Sequence, residues 1–285
     1  MSLTWIHFRM PITALAVAFC LLLSLGCQSR FALRDHGRAA EQADVLHRII
    51  ETGQLRVGIT GAQPPLNMKN KSGEMIGLDV ELGHALAEAM NVELVIVETP
   101  FVDLLSDLEG DKFDMVISSM TITPARNARV AFAGPYLISG SSLLTREELA
   151  KSILAQSDLN SPDRSWAALE GSTGEALIAE AFPLSNLVTI SNLEAAVEMI
   201  GRGQIDGLVA DLPFVQFEIA RNPELALATL PSPFTTEPLG IALPPNSPLF
   251  ANLVQNYLNT LEYTGQLIAM KARWLNEGDW LSEMP

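Results

Sequence analysis

From residue 55 onward the apolar positions switch between a period of two and a period of 3.6, and back again. That alternation restricts the fold more than any other feature. Leu55-Arg56-Val57-Gly58-Ile59-Thr60 alternates and predicts a strand. Asp79–Met90 carries Val80, Leu82, Ala85, Leu86 and Ala89 at helical spacing. Val92–Val97 predicts the next strand, Phe101–Leu108 a short helix, and Phe113–Ile117 a third strand apolar enough to be buried on both faces. Between them, Gly61-Ala62-Gln63-Pro64-Pro65 reads as a loop, because two prolines deny donors to a ladder, and Ser72-Gly73-Glu74 as a turn. This order predicts a parallel sheet in an α/β unit. After Tyr136 the pattern restarts: strands at Leu143–Thr145, Leu187–Ile190, Gly207–Ala210 and Leu239–Leu243, with helices at Glu175–Ala181, Asn192–Gly201, Leu249–Thr264 and Leu267–Trp274. Two similar units, linked twice, predict two lobes with a cleft between them, where the carboxyl ends of the strands face a ligand.

A hydrophobic fraction of 48% supports a core of that size and excludes a disordered chain. The 18 basic and 33 acidic residues leave a net charge of −15, which argues against nucleic acid and against docking on anionic lipid. Four scattered histidines, His7, His36, His47 and His84, have no zinc-site spacing, so no metal and no cofactor is expected. Residues 10–26 form an apolar, uncharged run preceded by Arg9, marginal for a membrane span and typical of an export signal. The run ends in Ser24-Leu25-Gly26-Cys27, which resembles a bacterial lipobox, with Ser24 where leucine is more usual. Lipidation of Cys27, ordinary cleavage with Cys27 incidental, and an uncleaved anchor all remain open. The expected organisation is a signal peptide at 1–26, a polar tether at 27–44, one lobe from 45–138 and 236–285, and a second lobe at 139–235. With one cysteine left after cleavage, the mature chain has no internal disulfide.

Several segments together resemble a known family. Ser118-Ser119-Met120-Thr121-Ile122-Thr123-Pro124-Ala125-Arg126 followed by Val130–Tyr136, Gly77–Leu82, Gly203–Asp211, and Gly265-Gln266-Leu267 with Arg273-Trp274-Leu275 resemble the periplasmic solute-binding proteins of polar amino-acid ABC transporters, extracellular solute-binding protein family 3. The resemblance runs over roughly residues 45–278. It implies a two-lobed type II clamp, each lobe a mainly parallel sheet flanked by helices and joined by two hinge strands. It also implies a monomer in the periplasm or at the extracytoplasmic membrane surface that delivers an α-amino acid to the membrane permease of an ABC transporter, with Cys27 of the lipobox-like segment as the expected anchor.

The resemblance assigns roles to individual residues. Arg126 holds the ligand α-carboxylate, a task suited to the guanidinium fork, with help from the Thr121 hydroxyl and N–H. The alternative is a surface arginine paired with an acid. Gly171-Ser172-Thr173-Gly174 precedes a helix, so Ser172, Thr173 and Gly174 offer unpaired N–H groups and the positive dipole end to the same carboxylate; a plain N-cap is the alternative. Asp211, at the end of an apolar strand, holds the ligand ammonium together with the Ser119 carbonyl, or else caps the segment that follows. Phe101 matches an aromatic wall position, whereas Gln63 and Leu66 stand where aromatics are usual. Thr60, Ser118 and Ser119 complete a small polar wall without an acidic partner for a cationic side chain. A neutral polar ligand such as glutamine, asparagine or serine is therefore expected. Glu175 matches the proton donor of the periplasmic cyclohexadienyl dehydratases, which resemble these binding proteins, so an enzyme acting on prephenate or arogenate is the alternative. A sensory binding protein is a third.

Overall fold

The computed structural model describes residues 45–284. The signal segment, the tether and Cys27 lie outside the described residues. The chain begins with α1 (Val45–Thr52), which buries Val45 and Ile49, and enters β1 (Gln54–Ile59). Three short strands follow, β2 (Ala62–Gln63), β3 (Asn67–Lys69) and β4 (Met75–Ile76), paired antiparallel. The loop expected at Gly61–Pro65 is thus partly strand: Ala62 and Gln63 make the ladder before the prolines can interrupt it. Then come α2 (Leu78–Ala89), β5 (Glu93–Glu98), a 3₁₀ turn at Phe101–Asp103 running into α3 (Leu104–Glu109), β6 (Met115–Val116) and the one-turn α4 (Pro124–Asn127).

The long strand β7 (Ala131–Ser139) leads through Gly140 straight into β8 (Ser141–Arg146). The second lobe continues with α5 (Glu147–Ser152), β9 (Ser165–Leu169), α6 (Thr173–Ala181), β10 (Asn186–Ile190), α7 (Leu193–Gly201), β11 (Gly207–Asp211), α8 (Leu212–Arg221) and β12 (Leu227–Ala228). Strand β13 (Glu237–Leu243) returns to the first lobe, which α9 (Pro248–Tyr263) and α10 (Gln266–Ala272) complete.

The first sheet has the order β5-β1-β6-β13-β7 and the second β10-β9-β11-β8-β12. In each, three strands pair in parallel with the first of them in the middle; the sequence pattern shows this triplet in the first lobe, whereas in the second it lacks the middle strand, β9. The other two strands run antiparallel, β13 against β6 and β7, and β8 against β11 and β12. The sheets are therefore mixed. The antiparallel strands are also the ones that carry the chain between lobes, so their direction follows from the double crossing.

Each sheet buries its faces. Leu55, Val57, Ile59, Leu82, Leu86, Phe250 and Val254 pack into one core of the first lobe. Trp166, Phe182 and Ile178 fill one side of the second. A third cluster runs from Phe101, Phe113 and Met120 to Leu144, Ala167, Leu208 and Phe214, and so is shared by residues of both lobes. At the crossings the two segments touch: the Ser141 N–H donates to Thr235 Oγ1 at 2.9 Å and the Phe234 N–H to the Ser141 carbonyl at 2.8 Å. Gly140 makes this possible, because a Cβ there would lie 2.2 Å from the Thr235 carbonyl oxygen. Among the described residues no helix is long and apolar enough to cross a membrane.

Candidate functional site

The carboxyl ends of β6, β9 and β11 open onto one cleft. Strand β6 delivers Ser118 and Ser119, β9 leads into Gly171-Ser172-Thr173, and β11 ends at Asp211. Of the residues singled out from the sequence, Asp211, Thr121, Ser119, Ser172, Thr173, Gly174, Phe101 and Gln63 line one cavity, together with Leu66. Thr60 instead faces an adjoining recess beyond Gln63 and Phe101, which also contains Glu98 and Asn192. Glu98 is paired there with Lys69 at 2.6 Å. Ser118 is fully buried behind the wall, its hydroxyl accepting the Thr60 N–H at 3.1 Å and lying 3.2 Å from the Thr60 hydroxyl.

Arg126 stands beside the cavity rather than in its lining. Thr123 caps the one-turn helix that carries it, accepting the Arg126 N–H at 3.2 Å. The guanidinium lies 5.5 Å from the Phe101 ring centre. It donates to the Thr121 carbonyl at 2.9 Å and to the Gly171 carbonyl at 3.0 Å, so it bridges the two lobes. Burial lowers its pKa, against the raising influence of Glu237 and Asp211.

Asp211 precedes α8 at the N-cap position, yet its side chain makes no capping hydrogen bond. Its carboxylate has no hydrogen-bond partner among the described residues. Burial first, then the neighbouring Glu237 charge, push its pKa up to about 7, with Arg126 pulling the other way. The Ser119 hydroxyl is likewise buried without a partner. Ser119 itself adopts a left-handed backbone, φ 49°, and its N–H donates to Asp79 at 3.1 Å. Asp79 is fully buried and also accepts the Tyr136 hydroxyl at 2.7 Å and the Asn67 amide at 2.8 Å. Burial raises its pKa to about 6 despite those three bonds.

Ser172 caps α6 by accepting the Glu175 N–H at 3.1 Å. The first-turn N–H groups of Thr173 and Gly174 have no partner among the described residues, as at any helix start, and both residues line the cleft. Glu175 turns back: its carboxylate accepts the Gly171 N–H at 2.8 Å and the Thr189 hydroxyl at 2.7 Å, which closes a capping arrangement away from the cavity.

Two site-forming acids escaped the sequence reading, Asp79 and Glu237. Asp79 was visible only as an acid in the first turn of a helix. Glu237 was visible only as the residue opening an apolar strand. It is 6% exposed, and its two oxygens accept four hydroxyls: Ser141 at 2.7 Å and Thr235 at 2.6 Å on one, Thr121 at 2.8 Å and Thr173 at 2.7 Å on the other. Burial alone would raise its pKa; the hydrogen bonds from Thr235, Ser141, Thr173 and Thr121 together outweigh that and leave it below the ordinary carboxylate value. No group of three or more His, Cys, Asp or Glu among the described residues is placed to hold a metal ion.

Against known proteins, the profile of the bacterial extracellular solute-binding proteins, family 3, matches residues 55–277. A cyclohexadienyl dehydratase of Pseudomonas aeruginosa is 27% identical, over 90% of this chain and 94% of its own length. Among solved structures, an ancestral amino acid-binding protein described as a precursor of cyclohexadienyl dehydratase is 33% identical, covers 81% of this chain and 99% of its own, and superposes with a TM-score of 0.76. A binding component of an ABC transporter from Wolinella succinogenes, complexed with lysine, is 34% identical with the same coverages and a TM-score of 0.77.

Proposed function

The chain belongs to the bacterial extracellular solute-binding proteins of family 3, and from that premise we propose that it captures a small polar α-amino acid outside the cytoplasm and presents it, with the lobes closed, to an ABC-type permease. One observation carries the reading. Asp211, a half-buried carboxylate without a hydrogen-bond partner among the described residues, lines the same cleft that Arg126 flanks with a half-buried guanidinium. An acid left bare in a low-dielectric cleft is costly to the empty protein, and a ligand ammonium relieves that cost. Arg126 and the first-turn N–H groups of Thr173 and Gly174 supply donors for the ligand carboxylate. The lobes in this reading are residues 45–138 with 236–285, and residues 139–235.

The protein acts without catalysis. A relative that is a dehydratase keeps the enzyme reading in view, but both oxygens of Glu175 are engaged by Gly171 and Thr189, and Glu175 is not among the residues lining the cavity. A proton donor must reach the leaving hydroxyl. We further read residues 1–26 as an export signal and Cys27 as the site of lipid attachment to a monomer.

Calorimetric titration of the wild type and Arg126→Ala with the twenty amino acids tests the function. The wild type is expected to bind at least one of them, and the variant to lose at least about 100-fold in affinity, as expected for an unpaired buried carboxylate. Retained binding within about threefold removes Arg126 from the site. Phenylpyruvate formed from prephenate, and abolished in Glu175→Gln, replaces this reading with the enzyme.

A further inference from the structure

A hydroxyl has one proton, and where that proton goes decides what the oxygen can offer a ligand. Thr121, Ser141 and Thr173 all line the cleft, and each gives its proton to Glu237. An ionised carboxylate only accepts, so the direction of these bonds is fixed by chemistry. Three cleft hydroxyls that looked like donors therefore turn lone pairs toward the ligand. The acceptor set grows further with Asp211, whose carboxylate is bare. Once a ligand ammonium draws the Asp211 proton off, the charges at the cleft among the described residues are Glu237 and Asp211, both acidic, against Arg126. A zwitterion brings one charge of each sign and leaves the negative surplus in place. A ligand with one additional positive charge, and with N–H donors in excess of acceptors, cancels it.

We propose that Glu237 is a positioning residue that sets ligand specificity: by holding the hydroxyl protons of Thr121, Ser141 and Thr173 it makes the cleft wall an acceptor surface that selects cationic amino acids over neutral and acidic ones. The proposal rests on the reading of the cleft as an amino-acid site. It replaces the neutral side-chain class expected from Thr60, Gln63 and Ser118, a wall in which Glu237 had no part. It also reassigns Thr121 and Thr173: their hydroxyls face donors on the ligand, and the ligand carboxylate falls to Arg126 and backbone N–H groups.

The test uses the full mature chain with lysine, glutamine and glutamate as probes, titrated calorimetrically at one ionic strength. The wild type is expected to bind lysine most tightly. Glu237→Gln keeps the shape but donates through its amide to two of the four hydroxyls, at least one of them in the cleft wall, whose proton is then free to turn toward the ligand. The ratio of lysine to glutamate affinity is then expected to fall by roughly tenfold or more, as for a charged hydrogen bond made or lost. Equal losses for all three probes make Glu237 merely structural and overturn the proposal. A wild type that prefers glutamine or glutamate overturns it as well, while leaving the amino-acid function standing. A wild type that binds none of the twenty amino acids is the separate result that overturns the function. Should Glu237→Gln fail to fold, Thr173→Val reads the same point: loss of an acceptor weakens lysine more than glutamate, and equal weakening overturns the assignment.

Discussion

Asp211 is held at a cost that the ligand-free protein bears alone. Its pKa is raised from 3.8 to about 7, chiefly by burial. The folded state therefore keeps a proton that the unfolded chain has already lost between those two values, so stability falls as pH rises through that window and the penalty is complete above it. Asp211→Asn removes the penalty. We expect the variant, without ligand, to unfold later than wild type by about 1–3 kcal/mol at pH 8 and to match it near pH 4, read by denaturant titration at both pH values. The same variant is expected to lose affinity for α-amino acids far more than for the corresponding hydroxy acids; equal losses would give Asp211 a structural part. Asp211 and Arg126 were singled out in the sequence through the family resemblance of the motifs that carry them, Asp211 also as an acid at the end of an apolar strand. Asp79 and Glu237 were not. Their partners, Tyr136 and Asn67 for one, Thr121, Thr173 and Ser141 for the other, are far off along the chain and meet only when the sheets form.

Helix α6 depends on its second residue. Gly174 lies against strand β11, and a Cβ there would stand 2.9 Å from the Val209 carbonyl and 3.2 Å from a Val209 methyl. The carbonyl belongs to the sheet and cannot give way, so the helix start would. Gly174→Ala is expected to cost about 1–3 kcal/mol as overpacking and to weaken ligand binding by moving Thr173, which thermal unfolding and calorimetry measure separately. Unchanged values for both would mean that the helix end has room the structure does not show. At this scale the apolar periods located five of the six parallel strands and most helices, but missed β9 (Ser165–Leu169), whose short run follows directly on a polar loop. They missed β7, whose run of Ala131–Ser139 is broken by Gly134 and Pro135. That strand survives because it is the edge of its sheet, where a missing donor is tolerated, and its register against β13 shifts between Leu239 and Ile241. Strand direction was illegible for a similar reason. Periodicity reports which face is buried, not which way a neighbour runs.

The whole molecule turns on two neighbouring crossings. Gly140→Ala would drive a methyl group into the Thr235 carbonyl, prising apart the segments that hold Ser141 and Thr235 against Glu237. A loss of at least about 2 kcal/mol is expected, together with a changed difference in small-angle scattering between the ligand-free and ligand-bound protein. A variant of wild-type stability whose scattering change is also unaltered would show that the segments separate freely. Two strands crossing side by side behave as two pins of one door: they permit swing about the line through them and resist slide and twist. Atoms on that line hardly travel. The bonds from Ser141 and Thr235 to Glu237 join residues of the crossings themselves, so they ride through the swing intact. The bond from Arg126 to Gly171 joins one leaf to the other and must part as the door opens. Force applied by a ligand counts in proportion to its distance from the pins, so under the proposed function a grip at Arg126 is the one that would close the door, while an acid at the pins would keep its bonds and its place whether the door stands open or shut.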